Sequence, residues 1–126
     1  MVQTLNVTAI LISEQVKTVT SALYHDTPSI ISVFAGRIAD SGRDTVPIMK
    51  ESAKMVSQNP NAELLWASSR ELLNLFQAVE SGCQIITVTN EILKKLTMIG
   101  KDLDELSLDT VKMFYVDALS AGYTIL

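Results

Sequence analysis

Residues 30–56 read IISVFAGRIADSGRDTVPIMKESAKMV, and the change of period inside them decides the fold. Ile30 to Ala35 is an apolar, β-branched run, the composition of a strand covered on both faces. Asp44 or Thr45 then caps a helix with Pro47 in its first turn. Ile48, Met49, Ser52, Met55 and Val56 form its buried side, and Asn59-Pro60 stops it. A strand period thus gives way to a helical one within a single short unit.

The unit recurs on both sides. Upstream, Gln3 to Ile10 alternates, with Leu5, Val7 and Ala9 on one face and Asn6, Thr8 and Ile10 on the other. Ser13 offers a cap for a helix with Glu14 in its first turn and Val16, Val19 and Leu23 at helical spacing, running to about Tyr24. Downstream, Glu63 to Ala67 is a strand, and Ser68-x-x-Glu71 is a capping box that predicts a helix with Leu72, Leu73, Phe76 and Val79 inward, closed by Gly82. Cys83 to Val88 is a fourth strand. Thr89 caps a helix bearing Ile92, Leu93 and Leu96 that stops at Gly100. A short polar loop, residues 100–106, leads to a last helix from a Ser107 cap through Leu108, Val111, Met113, Phe114, Ala118 and Leu119 to Gly122.

Four strand-helix units imply an α/β fold with a parallel sheet. A two-layer open sheet is one solution. An eight-unit barrel of about 250 residues allots about 31 to each unit, and four such units nearly fill the 126 residues here. The expectation is half of a (β/α)₈ TIM barrel, matching four consecutive strand-helix units plus a C-terminal helix, as a single domain over residues 1–126.

Hydrophobic residues make up 48% and charged residues 19% of the chain, which is enough apolar area for one compact core. Net charge is -4 with Lys and Arg scattered, so no basic stripe exists for nucleic acid. Cys83 and His25 are the only cysteine and histidine, which excludes an internal disulfide and a Cys/His zinc cluster, and fits a reducing cytoplasm. Residues 1–10 have no basic-then-apolar leader pattern, and no apolar run is long enough to span a membrane. Neither metal nor cofactor is called for, and neither nucleic acid nor membrane is an expected partner.

Chemistry in such barrels sits beyond the C-terminal strand ends. Asn6 and Thr8, Phe34 and Arg37, Ser68, and Thr87 with Thr89 fall there. Arg37 after a strand and Ser68 at a helix start suit a phosphate. Equally, Arg37 could pair with Asp40 or Asp44 while Ser68 only caps, and spacing alone favours that simpler arrangement. Asn6 and Thr8 could be strand residues satisfied by neighbours. Cys83 reads as a small buried hydrophobe, His25 as solvated, Trp66 as packing, and the Leu72, Leu73, Phe76 stripe as core.

Five motifs in register carry a resemblance: Asn6-Val-Thr-Ala-Ile, Phe34-Ala-Gly-Arg-Ile-Ala-Asp40-Ser-Gly-Arg, Glu63-Leu-Leu-Trp-Ala-Ser-Ser-Arg-Glu71, Gly82-Cys83 leading into Ile85-Ile-Thr-Val-Thr-Asn90, and Ser107-Leu-Asp-Thr-Val-Lys-Met-Phe114. Together the chain resembles the C-terminal half of a bacterial transaldolase of the short, fructose-6-phosphate-aldolase-like type. The resemblance implies strands five to eight of a barrel. It also implies transfer of a dihydroxyacetone unit between sugar phosphates through a lysine Schiff base, in carbohydrate (pentose phosphate) metabolism. By the same resemblance Thr8 matches the threonine that helps hold the catalytic water, Arg37 and Ser68 match the substrate-phosphate residues, and Asn6 and Phe34 line the pocket. Phe34 stands where aldolase-type relatives carry a tyrosine, which favours transfer over plain aldol cleavage.

The family's Schiff-base lysine and its strand-one aspartate match nothing in this sequence. Lys17, Lys50, Lys54, Lys94, Lys95, Lys101 and Lys112 all fall in predicted helices or a loop, whereas a Schiff-base lysine must be desolvated. The chain alone is therefore expected to be inactive. An open half barrel would also expose the edges of its first and fourth strands and an inner face with side chains such as Val33 or Phe34. Two copies could close it as a homo-oligomer, a separate N-terminal half could complete an enzyme, or the sheet could rearrange. The resemblance implies that Leu108 to Leu119 packs on a neighbouring subunit. Expected ligands are a sugar phosphate or phosphate.

Overall fold

The computed structural model describes residues 3–122. They fall into two compact units, Met1–Lys94 and Lys95–Leu126.

The first unit holds strands β1 (Leu5–Ile10), β2 (Ser29–Val33), β3 (Ala62–Trp66) and β4 (Ile85–Ile86) and helices α1 (Ser13–Ala22), α2 (Ala35–Ala39), α3 (Thr45–Val56), α4 (Leu73–Ser81) and α5 (Asn90–Lys94). The strands form one parallel sheet in the order β1-β2-β3-β4, with Ser32 opposite Leu65 and Leu65 opposite Ile85. The core lies on one face of this sheet. Ile31, Val33, Leu64 and Trp66 meet Val16 of α1, Met49 and Val56 of α3 and Ala78 of α4. Asn6, Ile30, Ser32, Glu63 and Leu65 alternate with those core positions and so occupy the other face. Sequential strand order with three helices on one face is consistent with consecutive units of a barrel.

β1 departs from simple alternation. Val7 pairs with Ile31 and Ile10 with Val33, so Thr8 and Ala9 together stand opposite Ser32, and Ala9 takes φ 62°. This is a bulge, one extra residue in one strand. It puts Ile10 in the core with Val7 rather than across from it. Val33 likewise belongs to the core and not to the open face, because it lies two residues on from Ile31 and shares its side.

Helix starts are set by side chains other than those expected. For α1 the Gln15 Oε1 accepts from the backbone N–H groups of Leu11 and Ile12 at 3.0 and 3.3 Å, which leaves Ser13 as the first helical residue. Asp44 does cap α3, accepting from Val46 N–H at 3.0 Å. The Ser68-x-x-Glu71 box does not form. Instead Asn74 Oδ1 accepts from the N–H groups of Arg70 and Glu71 at 2.7 and 3.0 Å, and α4 begins at Leu73. The Asn74 carboxamide thus reaches back to two backbone donors of the turn that leads into α4, ahead of the helix itself.

The inner side of α4 is Asn74, Ala78 and Ser81, while Leu73, Phe76 and Val79 are 54%, 51% and 77% exposed. The apolar stripe expected in the core faces outward. Small inner side chains let the helix close on its neighbours, and Ala53 Cβ lies in van der Waals contact with the position a Gly82 side chain would take. Gly82 itself, at φ 89°, ends α4 as expected. Thr89 Oγ1 accepts from Ile92 N–H at 3.3 Å, and Ile92 is buried, but Leu93 is exposed.

The second unit holds a 3₁₀ turn (Lys95–Met98) and α6 (Leu103–Ser120). The helix expected to run to Gly100 ends at Lys94, and in the 3₁₀ turn that follows Leu96 is exposed. α6 starts well before Ser107, because Asp102 accepts from Glu105 N–H at 3.2 Å and Asp104 and Glu105 add favourable charge in the first turn. No described residue of α6 is buried. No helix among the described residues is long and apolar enough to cross a membrane.

Candidate functional site

Of the residues expected at the rim, Thr8, Phe34, Arg37 and Ser68 lie near or beyond the ends of β1, β2 and β3, Thr87 and Thr89 follow β4, and Asn6 lies near the start of β1. Ser32 Oγ donates to Asn6 Oδ1 at 2.7 Å across the open face of the sheet, which fixes the Asn6 amide. Thr8 sits in the β1 bulge, exposed on the same edge of the unit. Bulges of this kind re-aim a side chain at the end of a strand. Phe34 N–H donates to the Ile10 carbonyl at 2.9 Å, so the half-buried Phe34 is tied to the end of β1 and opens α2.

β2 and β3 are locked together just beyond their last paired residues. Ala67 N–H donates to the Val33 carbonyl at 2.8 Å, and Gly36 N–H donates to the Ala67 carbonyl at 3.2 Å. A Cβ on Gly36 would stand 1.5 Å from the Ser68 carbonyl oxygen, closer than any packing allows. Only glycine lets the two segments approach this closely. Ser68 takes φ 62°, a left-handed conformation unusual for serine and a local strain. The buried Ser69 holds that bend by donating from Oγ to the Thr87 carbonyl at 2.5 Å. Ser69 and Gly36 are functional candidates that residue-type reasoning passes over, although both stand inside the quoted motifs.

The partners of the rim charges are also resolved. Arg70 Nη2 meets Asp40 Oδ2 at 2.8 Å, joining α2 to the segment after β3. This hydrogen bond, followed by the charges of Arg70 and Arg37, holds the Asp40 carboxyl below the usual carboxylate range, and Arg70 is raised in return. Asp44 is engaged as the α3 cap. Asp40 and Asp44 are thus engaged by Arg70 and by the start of α3, although the Arg37 charge still acts on Asp40. Arg37 forms no ion pair among the described residues. Its side chain lines a hollow with Ser13 and Ile48, whereas Ser68 lines a smaller one, of about 210 Å³, with Arg70, Thr87 and Thr89. Arg37 and Ser68 are thus adjacent through the backbone while their side chains open into different hollows.

All seven lysines are exposed and none lies on a strand. Lys50, Lys94 and Lys101 are paired with Glu80, Glu91 and Asp109, and the hydrogen bond that Lys101 donates to Asp109 raises Lys101 further from the neutral form. Cys83 is half-buried, and burial pushes its thiol up to about 11, which suits a packing residue and not a nucleophile. His25 is exposed. Among the described residues no three His, Cys, Asp or Glu side chains gather as a metal ion requires.

Against known proteins, the chain is 29% identical over 69 residues to a protein of Caldicellulosiruptor saccharolyticus described as a probable transaldolase. That stretch is 53% of this chain and only 32% of the relative, so the match reaches about a third of the other protein's length. The profile of the family described as Transaldolase/Fructose-6-phosphate aldolase matches residues 3–124, nearly the whole sequence. With four parallel strands in one sheet and a family match of that extent, the chain belongs to the transaldolase/fructose-6-phosphate aldolase family.

Proposed function

We propose that residues 1–126 form the sugar-phosphate-binding half of a transaldolase-type (β/α)₈ barrel, and that this half is inactive alone. The observation that carries the reading is Arg37: beyond a strand's C-terminal end, it forms no ion pair among the described residues, since Asp40 bonds to Arg70 and Asp44 caps α3. A guanidinium left available beyond the strand ends suits a phosphoryl group. Ser68, on the segment locked to α2 through Gly36, is the second phosphate residue of the proposal. Thr8 positions water, and Asn6 and Phe34 line the substrate's path. Phe34, where aldolase-type relatives have tyrosine, favours transfer of a dihydroxyacetone unit between sugar phosphates.

The missing element is an amine without water. Schiff-base formation needs a neutral lysine, and neutrality near pH 7 follows from desolvation. Every lysine of this sequence is exposed. The reacting lysine would come from a strand outside these residues, whichever polypeptide carries it. β1 and β4 end the sheet with unpaired edges, which supports closure by a second copy or by a lysine-bearing half, the latter giving a complete enzyme of pentose phosphate metabolism. The lone, half-buried Cys83 thiol agrees with a reducing cytoplasm.

Borohydride reduction of the purified protein with fructose 6-phosphate tests this. No covalent adduct is expected by mass spectrometry, and an adduct on any of the seven lysines would overturn the inactive reading. Arg37→Ala should abolish measurable sugar-phosphate binding, and unchanged affinity would remove Arg37 from the site.

A further inference from the structure

Strand register arranges the open face of the sheet in rows. Asn6 stands opposite Ile30 and Ile30 opposite Glu63, which makes one row, and Ser32, Leu65 and Ile85 make the next. Only Glu63 among them carries a charge, and no other residue of β1, β2, β3 or β4 does. Its neighbours Ala62 and Leu64 belong to the core, so strand alternation holds the carboxylate on the opposite side. Asn6 and Ser32 satisfy each other through their 2.7 Å hydrogen bond. Glu63 is exposed and forms no ion pair or side-chain hydrogen bond among the described residues.

Closing the sheet into a barrel takes this face out of water. The inside of an eight-stranded barrel fills in layers of four side chains, each layer drawn from alternate strands. When a second copy continues the strand order β1-β2-β3-β4, the β3 strands of the two copies are alternate strands and supply the same layer. Both Glu63 carboxylates then share it, and neither open face brings a cation. Two like charges that have lost water oppose such a closure twice, by repulsion and by desolvation. A half that places Lys or Arg in that layer turns the repulsion into attraction.

We infer that Glu63 selects what covers the open face: a polypeptide half carrying a cation at the layer of Glu63, in preference to a second copy of this chain. The inference rests on the half-barrel reading above and chooses between the two closures which that reading leaves open. Glu63 is the second residue of β3, at the end of the sheet away from Arg37 and Ser68, so partner choice and substrate binding occupy opposite ends of the face.

Sedimentation velocity over a concentration series tests this on the parent chain, on Glu63→Gln, on Glu63→Arg, and on an equimolar mixture of parent and Glu63→Arg. In the mixture the Glu63→Arg chain is the cation-bearing partner. Glu63 is exposed, and unchanged circular dichroism would show each variant folded. Glu63→Gln is expected to self-associate about tenfold more tightly than the parent, since facing like charges cost an interface several kcal/mol. Glu63→Arg alone should associate as weakly as the parent, because it replaces one pair of like charges by another. The mixture should form heterodimers about tenfold more tightly than either chain forms homodimers. If the parent associates but Glu63→Gln and the mixture are no tighter, the inference fails and closure by a second copy survives. If no species associates in any arm, the inference fails together with the half-barrel reading. Equal tightening in Glu63→Gln and in Glu63→Arg alone would also overturn it, because loss of the carboxylate and not the sign of the facing charge would then govern closure.

Discussion

Gly36 shows how one missing side chain can organise the rim. Its backbone meets the Ala67 carbonyl, and the space a Cβ needs is filled by the Ser68 carbonyl. Gly36→Ala must push apart the segments carrying Arg37 and Ser68. A loss of about 1–3 kcal/mol is expected from such overpacking, together with weakened sugar-phosphate binding, measured by urea denaturation and calorimetry. Unchanged stability would mean that the 67–69 segment yields freely. Cys83 gives a second residue-scale expectation. With its thiol raised to about 11 from 9.0, the thiolate at pH 8 is roughly 100-fold scarcer than for an exposed cysteine, and alkylation by iodoacetamide should slow accordingly. Below pH 9 both folded and unfolded chains keep the proton and stability is unaffected. Between 9 and about 11 the unfolded chain ionises first, so stability falls as pH rises through that window. A Cys83→Ala variant should lose this alkaline decline.

At the scale of elements, α4 separates two ways of starting a helix. Ser68 and Glu71 have the spacing of a capping box, but Ser68 is turned into a left-handed bend and Asn74, inside the helix, accepts from the N–H groups of Arg70 and Glu71 just ahead of it. Asn74→Ala should therefore cost about 1–2 kcal/mol, the range for losing two such hydrogen bonds. Ser68→Ala should stay within about 0.5 kcal/mol of the parent chain. The reverse ranking in thermal or chemical denaturation would restore the capping box. The same element shows the limit of periodicity: Leu73, Phe76 and Val79 have helical spacing, and spacing defines a face without saying which side of the molecule that face meets. Asn74, Ala78 and Ser81 form an equally regular face, and the small, polar one is buried.

For the whole molecule, the decisive feature is a sheet that ends at β1 and β4 and carries its helical layer on one face. Unpaired strand edges and partly apolar open faces favour association. Sedimentation velocity is expected to show concentration-dependent self-association, and Ile30→Glu, on the face opposite the core, should weaken it while leaving the fold intact. A species that stays monomeric at all concentrations would argue that the purified chain leaves this face uncovered.

The alternation of strands and helices, the parallel sheet, the Gly82 stop, the Asp44 cap and the family itself were legible in the sequence, because each depends on neighbours a few residues apart or on motifs in register. The short helix α2 was not. Three further things were not. Whether Arg37 pairs with Asp40 depended on Arg70, thirty positions from Asp40, and a long-range competition between cations for one carboxylate leaves no local pattern. The β1 bulge that moves Ile10 into the core depended on pairing with β2. The burial of α4's polar side depended on what stood across from it. Local chemistry fixes which structures a segment can form, and only the closing of distant segments on one another selects the partner, the register and the face.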